Sequence, residues 1–175
     1  MKNSAKLLAL VAALIIALSG CSDKEDPKTK QNVIIVDGTE FAVTQALTEE
    51  YGGDETSGYN FDLLILSSGF DFSDYENSWV TGSGNVLYLE LWSTSSTGLV
   101  TGTYTSSANF EPNTFTSSYV GINYDTSDDT ADQGYEDGTG SVSITVSGST
   151  YTVNFDLTFG ATKVTGNYTG TVSHF

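Results

Sequence analysis

From residue 32 to residue 175 the sequence predicts an all-β domain: a single antiparallel β-sandwich or small barrel of about nine strands. Three observations predict it. Short runs alternate apolar and polar residues, the period of a half-buried strand. Gly, Ser, Thr and Asn punctuate those runs, and Pro112 is the only proline after Pro27. No window of about twelve residues keeps an i, i+3, i+4, i+7 apolar pattern, so no helix is expected.

Val33 to Val36, Asp37-Gly38, then Glu40 to Leu47 predicts a hairpin, because Asp-Gly supplies the positive φ of a tight turn. Phe41 to Tyr51 alternates at first and is expected to be one strand. From Gly58 to Ser67 the residues Tyr59, Phe61, Leu63 and Ile65 fall on one face, and Asn60 and Asp62 on the other. Asn85 to Trp92, Leu99 to Thr105 and Thr114 to Asp125 are the next strands. Ser141 to Val146, Ser147-Gly148, then Thr150 to Phe159 predicts a second hairpin, and Lys163 to Phe175 closes the chain. Regular spacing of short strands is what a sandwich or barrel requires.

Two segments echo each other. Val100-Thr101-Gly102-Thr103-Tyr104-Thr105 recurs as Val164-Thr165-Gly166-Asn167-Tyr168-Thr169, with Val, Gly and Tyr on one strand face. A glycine inside a strand marks a bend or a close neighbour, so both glycines are expected under an aromatic ring. Asn60-Phe61-Asp62-Leu63 recurs as Asn154-Phe155-Asp156-Leu157. A two-fold origin and convergence on β-favouring residues both account for this.

The first thirty residues differ in kind. Lys2 and Lys6 precede an unbroken apolar run from Leu7 to Leu18. That run is shorter than the roughly 20 residues a membrane span needs, and it fits the h-region of a signal peptide. Leu18-Ser19-Gly20-Cys21 follows, and Cys21 is the only cysteine. Basic start, h-region and this tetrapeptide together resemble the leader and lipobox of bacterial lipoproteins. The resemblance implies cleavage before Cys21, acylation of its thiol and amine by palmitate-type chains, and a firm membrane anchor. Residues 1–20 are then a signal peptide, residues 21–31 a lipidated cysteine with a tether, and residues 32–175 the domain. Ser22-Asp23-Lys24-Glu25-Asp26 resembles the charged export signal of Bacteroidetes surface lipoproteins, which implies display on the outside of the outer membrane. The alternative is a plain solvated tether facing the periplasm. Thr101 to Tyr104 and the hairpin from Gly140 to Gly170 are similar in style to the small β-rich domains of such lipoproteins. That similarity implies no activity.

Charge narrows the partners. From Gln31 onward there are nineteen Asp and Glu against Lys163 alone, with no Arg. Such a surface repels nucleic acid and anionic polysaccharide, and adaptation to a salty exterior also accounts for it. A membrane barrel is not expected, because Ser173, Thr171 and Thr169 fill the places of lipid-facing residues behind Phe175.

Catalytic side chains are sparse. His174, the only histidine, is penultimate, and a Ser-His-Asp triad needs a held imidazole. There is no Cys/His cluster for zinc. The acidic loop with Asp125, Asp128, Asp129 and Asp132, followed by Glu136-Asp137-Gly138, offers oxygens for calcium but lacks EF-hand spacing. A solvated loop is the alternative, and no other cofactor is expected. Asp129-Thr130-Ala131 is similar to the O-glycosylation motif of Bacteroidetes exported proteins. If Leu87, Leu89 and Leu91 face the core, then Tyr88, Glu90 and Trp92 face outward together, and Trp79 can join them. Aromatic faces beside a carboxylate suit a sugar. The alternative is that another segment covers this face. The expectation is a non-enzymatic surface domain that binds an extracellular glycan. A structural or protein-interaction role in the envelope is the first alternative, and a carboxylate-based glycoside hydrolase the second.

Overall fold

The computed structural model describes residues 32–175. The leader, Cys21 and the charged tether lie outside them. The described residues are nearly all β. Thirteen strands form the fold: β1 (Val33–Val36), β2 (Thr39–Ala42), β3 (Gln45–Asp54), β4 (Gly58–Leu66), β5 (Phe70–Asp71), β6 (Thr81–Ser93), β7 (Gly102–Ser106), β8 (Thr114–Asp125), β9 (Gln133–Glu136), β10 (Thr139–Ser147), β11 (Thr150–Phe159), β12 (Thr162–Thr171) and β13 (Ser173–His174). One helical turn, α1 (Tyr75–Ser78), lies between β5 and β6.

Eleven strands follow one hydrogen-bonded order, β13-β3-β4-β6-β8-β7-β10-β11-β12-β1-β2, while β5 adds to β6 and β9 to β8. The two ends of this order are neighbours in sequence. Only Val43 and Thr44 separate β2 from β3: Val43 N–H donates to Asn32 O at 3.0 Å, and Thr44 N–H to Leu66 O at 2.8 Å. The sheet therefore has to curl until its two ends approach. At the other end of the chain β13 follows β12 after Val172 and pairs with β3, Ser173 opposite Leu47 and His174 opposite Thr48.

Curling encloses one large apolar core. Leu63, Ile65, Leu87, Leu89, Val120, Val142, Val153, Leu157 and Val164 have no exposed surface. Each lies on the inward face of its strand, as the two-residue period requires, and consecutive buried residues such as Val86 and Leu87 occur where the outer face is covered as well. A smaller second cluster lies on the outer face, where Leu47, Leu66 and Val86 are covered by Phe70 and Tyr75.

Several expectations change. Phe41 to Tyr51 is two strands rather than one, because the chain leaves β1 for β4 at residues 43–44. The sheet has mixed orientation: β7 runs parallel to β8 and β13 parallel to β3. Alternation reports which face is buried, not which way a neighbour runs. The helical turn and the short strands β5, β9 and β13 are additions too brief to carry a period. His174, although penultimate, is held. It sits in β13, with its Nδ1 at 2.7 Å from Thr48 Oγ1.

Other expectations hold. β8 and β11 have the expected bounds. Asp37 (φ 46°) and Gly38 (φ 87°) form the first hairpin turn, both left-handed as Asp-Gly predicts. The second turn sits one residue later than expected, with Ser147 opposite Thr150. Of the two echoed glycines only Gly166 lies under a ring. A Cβ there would fall 2.5 Å from Phe155 Cζ and 2.1 Å from Val33 O, whereas at Gly102 the nearest atom is Asn113 Oδ1 at 3.5 Å.

Candidate functional site

The outer face of β3, β4, β6 and β8 is organised as rungs of directly opposed residues. The first rung is Gln45, Leu66 and Val86, aliphatic apart from Gln45, whose amide donates to Ser67 O and Phe70 O. The next is Leu47, Leu64, Tyr88 and Tyr119. The third is Glu49, Asp62, Glu90 and Ser117, and beyond it lie Asn60, Trp92 and Thr114. Polarity thus rises along the face, from aliphatic to aromatic to acidic.

The acidic rung is unusual. Like charges placed directly opposite destabilise a sheet, and here three carboxylates stand in line. Hydroxyl and amide donors are distributed among them. Tyr88 donates its hydroxyl to Asp62 Oδ1 at 3.0 Å. Tyr51 donates to Glu49 Oε2 at 2.7 Å, and Tyr75 donates to the same oxygen. Thr116 donates to Glu90 Oε2 at 2.7 Å, and Trp92 Nε1 donates to Thr116 Oγ1 at 3.0 Å. A bulge makes this relay possible. The register jumps from Glu90–Ser117 to Leu91–Phe115, which leaves Thr116 as the extra residue of β8.

Electrostatics follow from that arrangement. Burial, reinforced by Glu90 and Glu49, pushes the Asp62 carboxyl up to about 6, although the bonds from Tyr88 and Tyr51 favour its charged form. The Tyr88, Tyr51 and Tyr75 hydroxyls are pushed well above the ordinary phenol range, first by burial and then by the carboxylates they face. The bond to Asp129, together with burial, pushes Tyr124 up to about 12. Lys163, the only Lys or Arg among the described residues, sits on β12 and is paired with Asp156.

Two loops wall this face into a cleft. On one side the segment around α1 closes a cavity of about 210 Å³, lined by Glu49, Asp62, Tyr75, Trp79, Tyr88 and Tyr124 among others. On the other side the β8–β9 connection borders a shallower hollow of about 490 Å³ that includes Tyr88, Tyr119, Asp129, Glu136 and Asp137. Leu64, Val86, Tyr88 and Tyr124 line both, so the two are halves of one cleft.

Tyr88, Glu90 and Trp92 do share the outward face, with Leu87, Leu89 and Leu91 buried behind them. The structure separates their surroundings. Tyr88 is central to the cleft. Glu90 belongs to the acidic rung. Trp92 is half-buried and lies against Phe110, ring centroids 4.8 Å apart. The four aspartates of the acidic loop turn to separate local donors. Asp125 accepts from Ser127 N–H at 2.8 Å, Asp128 from Thr130 Oγ1 at 2.6 Å, Asp129 from Tyr124 at 2.7 Å and Asp132 from Asn123 Nδ2 at 3.0 Å. Among the described residues no three His, Cys, Asp or Glu side chains are gathered as a metal site.

Sequence reasoning missed Glu49, Tyr51, Tyr75 and Tyr124. Asp62 was legible as an outward residue of its strand, and the same alternation in β3 places Glu49 outward. Their juxtaposition depends on strand order. Comparison with protein-family models, with curated proteins and with solved structures finds no match.

Proposed function

We propose that this chain is an outer-membrane, surface-exposed lipoprotein anchored at Cys21, and that its β-domain is a non-enzymatic module whose cleft binds an extracellular glycan. The observation that carries the glycan reading is the juxtaposition of Tyr88, Tyr75, Tyr124 and Trp79 with Glu49 and Asp62 around one cavity. Rings stack on the apolar faces of sugars, and carboxylates accept from their hydroxyls. Lys163, the only Lys or Arg among the described residues, is elsewhere, so the cleft disfavours uronic and sulfated glycans and suits neutral ones. Binding rather than hydrolysis is supported by the way Glu49, Asp62 and Glu90 are each already held by protein donors. We read the curled sheet as a small barrel, closed at one corner by β13.

The test is calorimetric titration of the soluble domain with neutral and uronate-containing polysaccharides. Neutral polymers should bind, and Tyr88→Ala should weaken them. Absence of binding across the panel removes the glycan reading. Protease shaving of intact cells, with Cys21→Ala as control, tests the address. Cleavage from whole cells is expected; survival until the outer membrane is broken places the domain in the periplasm.

A second reading, a structural or protein-interaction component of the envelope, is favoured by β2. Among the described residues it ends the strand order and pairs with β1, and a terminal strand of this kind can accept a partner's strand. Cross-linking in cells would then capture a partner through Phe41 or Ala42.

A further inference from the structure

Trp79 is out of keeping with the rest of the domain. Its backbone has φ 56° and ψ −144°, a conformation that bulky L-residues rarely adopt and that persists only where surroundings enforce it. Its side chain is 62 % exposed, at the mouth of the cavity that also holds Tyr88 and Asp62. Folding alone gains little from a strained, exposed indole. A ligand that covers the ring would gain.

What enforces the position is a stack of rings. Trp79 lies over Tyr75, centroids 6.0 Å apart and planes at 23°. Tyr75 lies in turn on Phe175, at 4.4 Å and 24°. Phe72 meets Phe175 edge-on, ring centroids 6.3 Å apart. Phe175 is itself pinned to β3: its N–H donates to Thr48 O at 2.9 Å, and its carbonyl accepts from Glu50 N–H at 3.2 Å. Tyr75 adds a second tie through its hydroxyl to Glu49. Nearly a hundred residues of chain separate Phe175 from Trp79, yet the two are linked through one intervening ring.

We propose that Trp79 is the ring on which the ligand of this cleft stacks, and that Phe175 is the positioning residue that holds it there. The inference rests on the glycan reading for the kind of ligand, and on the ring stack alone for the role of Phe175.

Two measurements separate those parts. The first needs no ligand. With Trp92→Phe, Trp79 is the sole tryptophan, and acrylamide quenching reports its freedom. Adding Phe175→Ala should raise quenching clearly and lower the emission anisotropy, while Phe175→Tyr, which keeps a ring, should restore both. Unchanged quenching in a variant that still unfolds cooperatively in urea would overturn the role of Phe175. The second is calorimetric titration of the chain with both tryptophans, using cello-, xylo-, laminari- and mannohexaose as probes. Phe175→Ala should weaken binding by about two- to tenfold, the range of a lost aromatic stack, and Trp79→Ala should abolish it. Undiminished binding by Trp79→Ala would overturn the stacking role. If no hexaose binds the native chain, the glycan reading and the stacking role fall together, and quenching still decides whether Phe175 holds the ring.

Discussion

Replacing Asp62 by Asn should stabilise the domain at neutral pH. Asp62 stands directly between Glu49 and Glu90 on neighbouring strands, and its carboxyl is raised from 3.8 to about 6, chiefly by burial. That rise corresponds to at most about 3 kcal/mol. The group keeps partial access to water, and screening reduces the figure to about 1–2 kcal/mol. The sign follows from proton binding. Between pH 3.8 and about 6 the folded chain holds a proton that the unfolded chain has released, so this contribution is complete below pH 3.8 and is lost as pH rises through about 6. Asparagine keeps an oxygen for the Tyr88 hydroxyl and carries no charge. The assay is urea unfolding of the native chain and Asp62→Asn at steps from pH 4 to pH 8. The two should coincide near pH 4, and the variant should be more stable by about 1–2 kcal/mol at pH 7.5, with the divergence building between pH 3.8 and about 6 and level above that. Taking the difference cancels the pH dependence of other carboxylates. A variant less stable than the native chain at pH 7.5, or a difference independent of pH, would refute the reasoning: the carboxylate would then be a net stabiliser of its rung.

Tyr88→Phe removes the hydrogen bond that favours ionised Asp62, so the Asp62 titration followed by NMR should move above its native midpoint; a downward move would contradict the bond's assigned role. Gly166→Ala places a methyl on Val33 O and the Phe155 ring and should cost about 3 kcal/mol or more by loosening β1 from β12. Gly102→Ala meets nothing closer than 3.5 Å and should be tolerated within about 1 kcal/mol; equal thermal shifts in the two variants would show that the echoed glycines are equivalent after all. Leu89→Ala empties a fully buried site between the walls of the core and should cost about 2–5 kcal/mol in urea unfolding. A loss below about 1 kcal/mol would mean that the core collapses around the gap.

The sequence by itself determined the class of the fold, because burial of one face imposes a two-residue period that survives without knowledge of neighbours. It is why Leu87, Leu89 and Leu91 could be assigned inward and Tyr88, Glu90 and Trp92 outward, and why Asp37-Gly38 announced its turn. It also carried the expected address in residues 18–26, which lie outside the described structure. Tertiary structure alone decided what those faces meet. Strand order is set by which edges pair after the chain turns back, and no local period records it. So the break at residues 43–44, invisible as a pattern, sends β3 to the far end of the sheet and puts Glu49 beside Asp62. The acidic rung, the relay from Trp92 through Thr116 to Glu90, and the ring stack from Phe175 to Trp79 all join residues distant in sequence. Their energies depend on distance in space, and only the curl of the sheet sets that distance.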